Sequence, residues 1–196
     1  GLTGTLDGTQ THQLVLEGLF GAVEKVVTTK ELIDKNTLAN LKIKCIILRH
    51  PNIRRKMNYA EEMEYLVTNE KRNDFLVNLL QHLDGNTLCL FQLVEKHGKI
   101  LNDKMKGSEN VYFVYGGTDT SEREKIRGLV ETHTNSTTIA SYGTFSTGIN
   151  IRNINNIVLA SPSKSKIRVL QSIGRGLRTS SSKDSVLIYD IADDIS

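Results

Sequence analysis

The residues best suited to chemistry lie in the pattern Gln171-x-x-Gly174-Arg175-x-x-Arg178. Pro162 follows an apolar run and Ser163 is a suitable N-cap, which predicts a helix over Lys164–Arg178. On that helix the two arginines lie one turn apart on one outward stripe. Two such guanidiniums can grip a polyphosphate, and one can stabilise charge on a transferring γ-phosphoryl group. A surface helix with solvated arginines is the alternative.

A glycine-rich segment, Gly143-Thr-Phe-Ser-Thr-Gly148, begins like a phosphate-binding GxxxxGK[ST] loop. Ile149 and Asn150 follow it, so the lysine that would reach the phosphates is missing. The chain contains no GxxxxGK[ST] and no Asp-Glu pair that ends an apolar strand and could hold Mg²⁺. An ordinary glycine-rich turn is the alternative for this segment.

Two further loops directly follow apolar runs. Gly116-Gly117-Thr118 offers backbone amides after Val111–Tyr115, at the edge where open α/β sheets bind ligands. Gln92 begins a predicted helix that carries Lys96 and Lys99, and a phosphate could bind at its N-terminus. A plain strand-to-helix turn and solvent-facing lysines are the respective alternatives.

Positive charge is concentrated towards the carboxyl end. Residues 1–131 carry 18 basic and 18 acidic side chains, whereas residues 132–183 carry seven basic side chains and no acidic one. Residues 184–196 add four acids, which leaves a net charge of +3. An acid-free stretch of this length indicates an anionic partner, either a nucleotide phosphate or a nucleic acid. A solvated basic surface without a partner remains the alternative.

Short apolar runs alternate with segments of helical periodicity. Strands are predicted at Ile43–Leu48, Thr87–Phe91, Val111–Tyr115, Thr137–Ala140, Asn156–Ala160 and Ser185–Tyr189. Helices are predicted over Asn69–Leu83, Gln92–Met105 and Ser121–Val130, the last with the capping-box pattern Ser-x-x-Glu. This alternation predicts an α/β fold with a doubly wound, mainly parallel sheet, helices on both faces and strands buried on both sides.

Composition excludes several protein classes. The 196 residues are 38% hydrophobic and 24% charged, which suits a globular α/β domain rather than a disordered or fibrous chain. No apolar run approaches the roughly 20 residues of a membrane span. Cys45 and Cys89 lie in apolar runs without metal-ligand spacing, and we expect both to be small core residues in a reducing cytosol. Because the chain begins Gly1-Leu2-Thr3 without Met, we interpret it as a processed or truncated piece.

Taken together, these motifs resemble those of superfamily 2 helicases. Gln171–Arg178 is similar to motif VI, and Ala140–Asn150 is similar to motif V at the spacing that this family uses. Leu2-Thr-Gly-Thr5 resembles motif III, which ends the first RecA-like domain. Phe20-Gly21 and Glu31–Ala39 resemble the connector of the branch that includes type III restriction subunits and repair helicases. The resemblance covers nearly the whole chain and implies a RecA-like fold.

The resemblance also implies roles for particular residues. It implies that Gln171, Arg175 and Arg178 are catalytic. It also implies that Gly148, Asn150, Arg175 and Arg178 bind the nucleotide. Contacts with the nucleic-acid backbone are expected, from the resemblance or from loop position, at Phe91, Gln92, Gly117, Thr118, Ser141 and Tyr142. Coupling between nucleotide and nucleic acid is implied for Thr3, Gly4 and Thr5. Ser141 stands where this family more commonly has Thr.

The implied protein is an ATP-dependent DNA helicase that acts on branched DNA in recombination, repair and replication restart. Residues 1–40 would be the end of its first RecA-like domain with the connector, and residues 41–196 its second RecA-like domain. The first domain would be this chain's partner and would supply the phosphate loop and Mg²⁺ for ATP. We therefore expect this chain alone not to hydrolyse ATP. DNA, branched or single-stranded and bound without sequence preference, is the other implied partner.

Three other functions compete with this interpretation. A double-strand DNA translocase or restriction motor shares the same motifs. A non-catalytic nucleic-acid-binding module would have a degenerate nucleotide site, against which the intact Arg175 and Arg178 argue. A Rossmann-type metabolic enzyme is disfavoured because no GxGxxG follows any predicted strand.

Overall fold

The computed structural model describes residues 40–50, 57–147, 153–162 and 185–195. Its elements in chain order are strand β1 (Asn40–Arg49), helices α1 (Tyr59–Thr68) and α2 (Glu70–His82), strand β2 (Asn86–Phe91), a π-helical turn (Val94–Gly98), helix α3 (Lys99–Lys104), strand β3 (Val111–Val114), helix α4 (Thr120–Thr132), strand β4 (Ser136–Ser141), helix α5 (Tyr142–Thr147), and strands β5 (Asn156–Leu159) and β6 (Ser185–Asp194). The predicted basic helix Lys164–Arg178 and the predicted connector lie outside the described residues.

The six strands form one parallel sheet in the order β1-β6-β5-β2-β4-β3. The chain moves in one direction across the sheet from β1 to β2 and β3, and then returns through β4 and β5 to β6. Crossovers between parallel strands are right-handed, so a reversal of direction moves the helices to the opposite face. The prediction of a doubly wound parallel α/β sheet is confirmed.

Two apolar layers, one on each face of the sheet, follow from this winding. On one face, Leu76 and Leu80 of α2 pack with Cys89 and Phe91 of β2. On the other face, Val130 of α4 belongs to the layer formed by the intervening β2 residues, Leu88 and Leu90. Successive side chains of a strand point to opposite faces, so a strand that lies between two helical layers carries apolar side chains on both faces. Strand β2 is buried along its whole length.

All six predicted strands are present, and the largest differences in their bounds are in the edge strand β1 and its neighbour β6. Strands β1 and β6 pair over ten residues, from Asn40 with Ser185 to Arg49 with Asp194, and both extend beyond the predicted runs. The expectation that every strand is buried on both faces is wrong for β1. Its Ile43 and Ile47 are each 64% exposed, and Cys45 between them is exposed rather than a core residue. Cys89 is buried, as predicted.

Helix starts differ from the predictions where capping was inferred from pattern alone. Helix α4 begins at Thr120 after Asp119, without a side-chain capping bond, so the capping box assigned to Ser121 is wrong. A capping box is present instead at α1, a helix not among those predicted. There the Asn58 side chain accepts from Glu61 N at 3.0 Å, and Glu61 Oε2 accepts from Asn58 N at 2.9 Å. Two backbone donors at that helix end are thereby satisfied.

The predicted helix over Gln92–Met105 is interrupted. Residues Val94–Gly98 form a π-helical turn, and α3 follows over only six residues. Gly98 packs directly on the buried ring of Phe91, and a Cβ at this position would lie 2.4 Å from Phe91 Cζ. A glycine is therefore required where this turn crosses the end of β2. The sequence pattern could not reveal this irregularity, because the apolar residues keep a helical spacing across the π-helical turn.

A buried ion pair joins α2 to the carboxyl ends of β5 and β6. Arg72 binds both carboxylate oxygens of Asp193, Nε to Oδ1 at 2.8 Å and Nη2 to Oδ2 at 2.9 Å. Nη2 also donates to the carbonyl of Ala160 at 2.8 Å. His50 Nε2 lies 2.9 Å from Asp193 Oδ1, while its Nδ1 lies 3.2 Å from the Tyr65 hydroxyl. The Asp193 carboxylate thus binds Arg72 and His50 directly, and these two residues extend the network to Ala160 and Tyr65.

We expect Asp193→Asn to lower the free energy of unfolding by about 3–5 kcal/mol, because it leaves the buried Arg72 guanidinium without its counter-charge. Asp190→Asn is the matched control: Asp190 lies on the same strand and is exposed, so its loss should change stability by less than about 0.5 kcal/mol. Urea denaturation of the two variants measures the difference. Equal midpoints would contradict a structural role for the pair.

Candidate functional site

The structure describes six of the residues predicted to contact a ligand: Phe91, Gln92, Gly117, Thr118, Ser141 and Tyr142. All six lie at the ends of β2, β3 and β4 or in the residues that follow them. Since these three strands are parallel neighbours in the order β2-β4-β3, the structure brings the six residues to one edge of the sheet. We call this the carboxyl edge. The other predicted site residues, Thr3, Gly4, Thr5, Gly148, Asn150, Gln171, Arg175 and Arg178, lie outside the described residues.

The six residues differ in what they present to solvent. Gln92 and Gly117 are exposed. The Phe91 ring is fully buried and stacks on Phe113 with ring centroids 5.7 Å apart. Thr118, Ser141 and Tyr142 are buried. Contact with a ligand therefore falls to the Gln92 side chain and to exposed loop backbone, while the buried side chains hold those groups in position.

The loop after β3 is closed by its own hydrogen bonds. Thr118 N donates to the carbonyl of Tyr115 at 3.0 Å, and Tyr115 N donates to Thr118 Oγ1 at 3.1 Å. Thr118 is thus the residue that closes the turn around the two exposed glycines. A Cβ at Gly117 would lie 2.7 Å from the Tyr115 ring, so this position favours glycine.

Arg123 of α4 donates hydrogen bonds to the backbone of the same loop. Its Nε donates to the carbonyl of Thr118 at 2.8 Å, and its Nη2 donates to the carbonyl of Gly116 at 2.9 Å. The Tyr115 carbonyl lies 3.4 Å from the same Nη2. Carbonyls that accept from the guanidinium are directed towards it. A fixed positive charge therefore lies beside the exposed glycines at the carboxyl edge, where it favours an anionic ligand.

Ser141 connects β4 directly to α5. Its Oγ accepts from Thr144 N at 3.3 Å and lies 2.6 Å from Thr144 Oγ1. These are the bonds of an N-cap residue, which satisfy a free amide in the first helical turn. The segment that begins at Tyr142 is therefore helical, where the sequence predicted a loop.

Ser161, which follows β5, links the ends of β2 and β4. Its Oγ accepts from Gln92 N at 3.0 Å and lies 2.7 Å from His97 Nδ1. Its carbonyl accepts from the Tyr142 hydroxyl at 3.1 Å. We name these four residues the Ser161 junction. It joins two residues predicted to contact nucleic acid through a residue that the sequence did not single out.

Burial fixes the ionisation of the junction. Burial, with a smaller contribution from the nearby Arg72, lowers the pKa of His97 to about 3 against the opposing effect of Asp193. Burial likewise raises the pKa of Tyr142, with smaller contributions from Cys89 and Asp190 against that of Arg72. His97 is therefore neutral at neutral pH and can accept from the Ser161 hydroxyl at Nδ1. Tyr142 stays protonated and donates.

The lysines after β2 are paired with acids. Lys96 Nζ lies 2.6 Å from Glu64 Oε1, and Lys99 Nζ lies 2.7 Å from Glu95 Oε1. Both pairs are exposed, so each contributes little to stability and can be broken by a competing anion. The expected phosphate site at a helix start here loses support, because the segment opens with a π-helical turn and α3 has only six residues.

Sequence reasoning missed Ser161, His97 and Arg123 as parts of this edge. Ser161 had a usable signal, since it directly follows a strand, as Gln92 and Tyr142 do. His97 and Arg123 had none, because their partners are carbonyls, a hydroxyl and charges from other elements. Among the described residues, no three His, Cys, Asp or Glu side chains gather as a metal site would require. None of the described helices is both long and apolar enough to cross a bilayer.

The neutral state of His97 predicts a pH dependence of stability. Its pKa is lower in the folded chain than the unfolded value of about 6.5, so its contribution is complete above that pH and is lost as pH falls towards 3. Over this window the unfolding free energy should fall by about 1.4 kcal/mol per pH unit on account of His97. His97→Gln should remove that component of the slope, as measured by urea denaturation between pH 4 and pH 7.

The control is His82→Gln, which removes an exposed imidazole from the end of α2. It leaves the slope due to His97 in place. If the two variants show the same pH dependence, His97 does not titrate as its burial requires.

Comparison with known proteins adds three findings. The family model for the helicase conserved C-terminal domain matches residues 70–180. The ATP-dependent DNA helicase uvsW of Enterobacteria phage T4 is 37% identical over 201 residues, which cover 98% of this chain and 40% of that protein. The crystal structure of T4 UvsW matches with a TM-score of 0.70 and 36% identity over 94% of this chain and 37% of that one.

A more distant structure shows the same fold. The C-terminal part of the Fun30 ATPase domain has a TM-score of 0.56 at 18% identity, over 72% of this chain and 45% of that one. This chain spans about two fifths of the length of the curated relative that it matches. The RecA-like fold and the resemblance to superfamily 2 helicases are both confirmed. The chain belongs to the helicase conserved C-terminal domain family.

Proposed function

We propose that this chain is the second motor domain of an ATP-dependent DNA helicase that acts on branched DNA in recombination, repair and replication restart, in the cytoplasm. Residues 1–40 are the end of the first RecA-like domain with its connector, and residues 41–196 are the second domain. The observation that carries the proposal is the carboxyl edge, where Gln92, the 116–117 loop and Tyr142 converge in a chain 37% identical to a DNA helicase.

In this proposal ATP binds between the two RecA-like domains. The first domain holds the phosphate loop and Mg²⁺, and this chain supplies Arg175 and Arg178 to the γ-phosphate, with Gln171, Gly148 and Asn150 beside them. Forked guanidiniums suit this role because they neutralise charge on a transferring phosphoryl group. Thr3, Gly4 and Thr5 couple the nucleotide to the nucleic acid. The chain alone does not hydrolyse ATP.

The nucleic acid runs along the carboxyl edge. Gln92 and the exposed glycines contact the phosphate backbone, while Phe91, Thr118, Ser141 and Tyr142 support these contacts from their buried positions. Contacts of this kind position a strand without reading its sequence, which suits a motor that moves along any DNA. A strand-displacement assay on forked duplexes with the longer, two-domain protein distinguishes unwinding from translocation without strand separation.

The arginine fingers can be tested in that two-domain protein. We expect Arg175→Ala and Arg178→Ala each to reduce ATP turnover by about 10³-fold or more, because transition-state charge is left uncompensated. DNA affinity should change by less than about threefold, since phosphate contacts along the track are unaffected. Arg127→Ala, which removes an arginine that is ion-paired with Glu124 and Glu131 in α4, is the control for loss of charge. Normal turnover in both variants would mean that the two arginines are not catalytic, and would favour a nucleic-acid-binding role for this chain.

The hydrogen bonds from Arg123 to the 116–117 loop give a second test. We expect Arg123→Gln to raise the Kd for single-stranded DNA about tenfold, because the loop loses the donor that orders its carbonyls. Arg127→Gln removes the same charge from the same helix without touching the loop, and its Kd should stay within about twofold of the original. Fluorescence anisotropy at several salt concentrations measures both. Equal weakening would mean that only the net charge of α4 matters.

A further inference from the structure

The Ser161 junction has a chemical requirement that few side chains meet. One small group must accept from the amide of Gln92 at 3.0 Å and also form a hydrogen bond with His97 Nδ1 at 2.7 Å. A hydroxyl does both, whereas an amide or a carboxylate is larger and alanine does neither. Ser161 is only 3% exposed, so no solvent can replace the lost partner.

Three further hydrogen bonds fix the backbone around Ser161. The carbonyl of Ser161 accepts from the Tyr142 hydroxyl, and the carbonyl of the preceding Ala160 accepts from buried Arg72. Ala160 N donates to Leu90 O at 2.9 Å, which continues the pairing of β5 with β2. The chain that leaves β5 is therefore bound to the ends of both β2 and β4 before Pro162.

We propose that Ser161 is a positioning residue that couples DNA contact to ATP turnover, an inference that rests on the proposed function. Gln92 and Tyr142 belong to the proposed DNA track, and Ser161 is joined to both. The residues after Ser161 lead along the chain to Arg175 and Arg178. In this role the Ser161 hydroxyl holds the end of β2, where Gln92 lies, against the chain that leaves β5 and leads in sequence to the two arginines.

This role differs from that of a residue that merely fills the core. Loss of a core contact lowers stability and affects all activities alike. Loss of the Ser161 hydroxyl removes the bond that ties the Gln92 amide to the residue after β5. It should therefore reduce the stimulation of ATP turnover by DNA more than turnover without DNA. The Kd for DNA and the KM for ATP are set by other residues and should stay within about twofold.

The experiment compares DNA-stimulated with unstimulated ATP turnover in the two-domain protein. Ser161→Ala is expected to lower the stimulation factor about tenfold, within the range of couplings carried by such networks. Ser161→Thr retains the hydroxyl and should recover most of the stimulation. Ser136→Ala is the matched control, because Ser136 is equally buried and its Oγ donates to Asn86 Oδ1 at 2.7 Å at the start of β4, far from the carboxyl edge.

Circular dichroism and thermal melts establish that each variant is folded. If Ser161→Ala does not fold, Ser161→Cys takes its place, since a thiol has a similar shape but hydrogen-bonds weakly. A folded Ser161 variant without the hydroxyl that keeps full stimulation would overturn the inference, as would an equal loss in Ser136→Ala. If the unsubstituted protein shows no DNA-stimulated turnover, the proposed function itself fails, and the inference fails with it.

Discussion

Parallel pairing of all six described strands is the constraint on which the rest of the molecule depends. A parallel strand cannot be reached by a tight turn, so each strand must be followed by a crossover that returns to the opposite end of the sheet. Every strand consequently finishes at the same edge. Residues that are 50 or 70 positions apart in sequence, such as Gln92, Tyr142 and Ser161, become neighbours there without any motif that spans them.

The same constraint places polar groups in the buried part of the carboxyl edge as well as on its surface. Chain segments leave the sheet there, so their carbonyls and amides need partners other than neighbouring strands. Arg72, Ser161 and Arg123 supply these partners by donating to or accepting from backbone of other elements. Arg72 Nη1 and His97 Nε2 are buried there without a hydrogen-bond partner. These unpaired buried groups lower the stability of the fold, and unfavourable features of this kind are common at functional sites.

Much of the fold could be predicted from sequence because two local signals agree: the uncharged runs that form strands and the apolar spacing that forms helices. Strands β2 and β4 contain no charged residue, and both are buried along their length. Helix α2 was predicted within one residue at each end because its apolar spacing is regular, and Asn69, the first residue of the predicted helix, is its N-cap. Predictions failed where the deciding partner is distant in sequence. The turn at Val94–Gly98 depends on the Phe91 ring beneath Gly98, and Cys45 is exposed because β1 lies at the sheet edge.

The sequence by itself determined the class of domain, the alternation of its elements and the residue types that suit phosphate chemistry, because these depend on local patterns and short spacings. It could also place Gln92, Gly117 and Tyr142 after strands, and hence at one edge. Only the tertiary structure decided which side chains reach solvent and which hold others in place. Phe91 and Ser141 are buried supports, whereas Ser161 and Arg123 acquire roles through contacts with other elements. Hydrogen-bond partners across a sheet edge follow from how the helices pack, which local sequence does not encode.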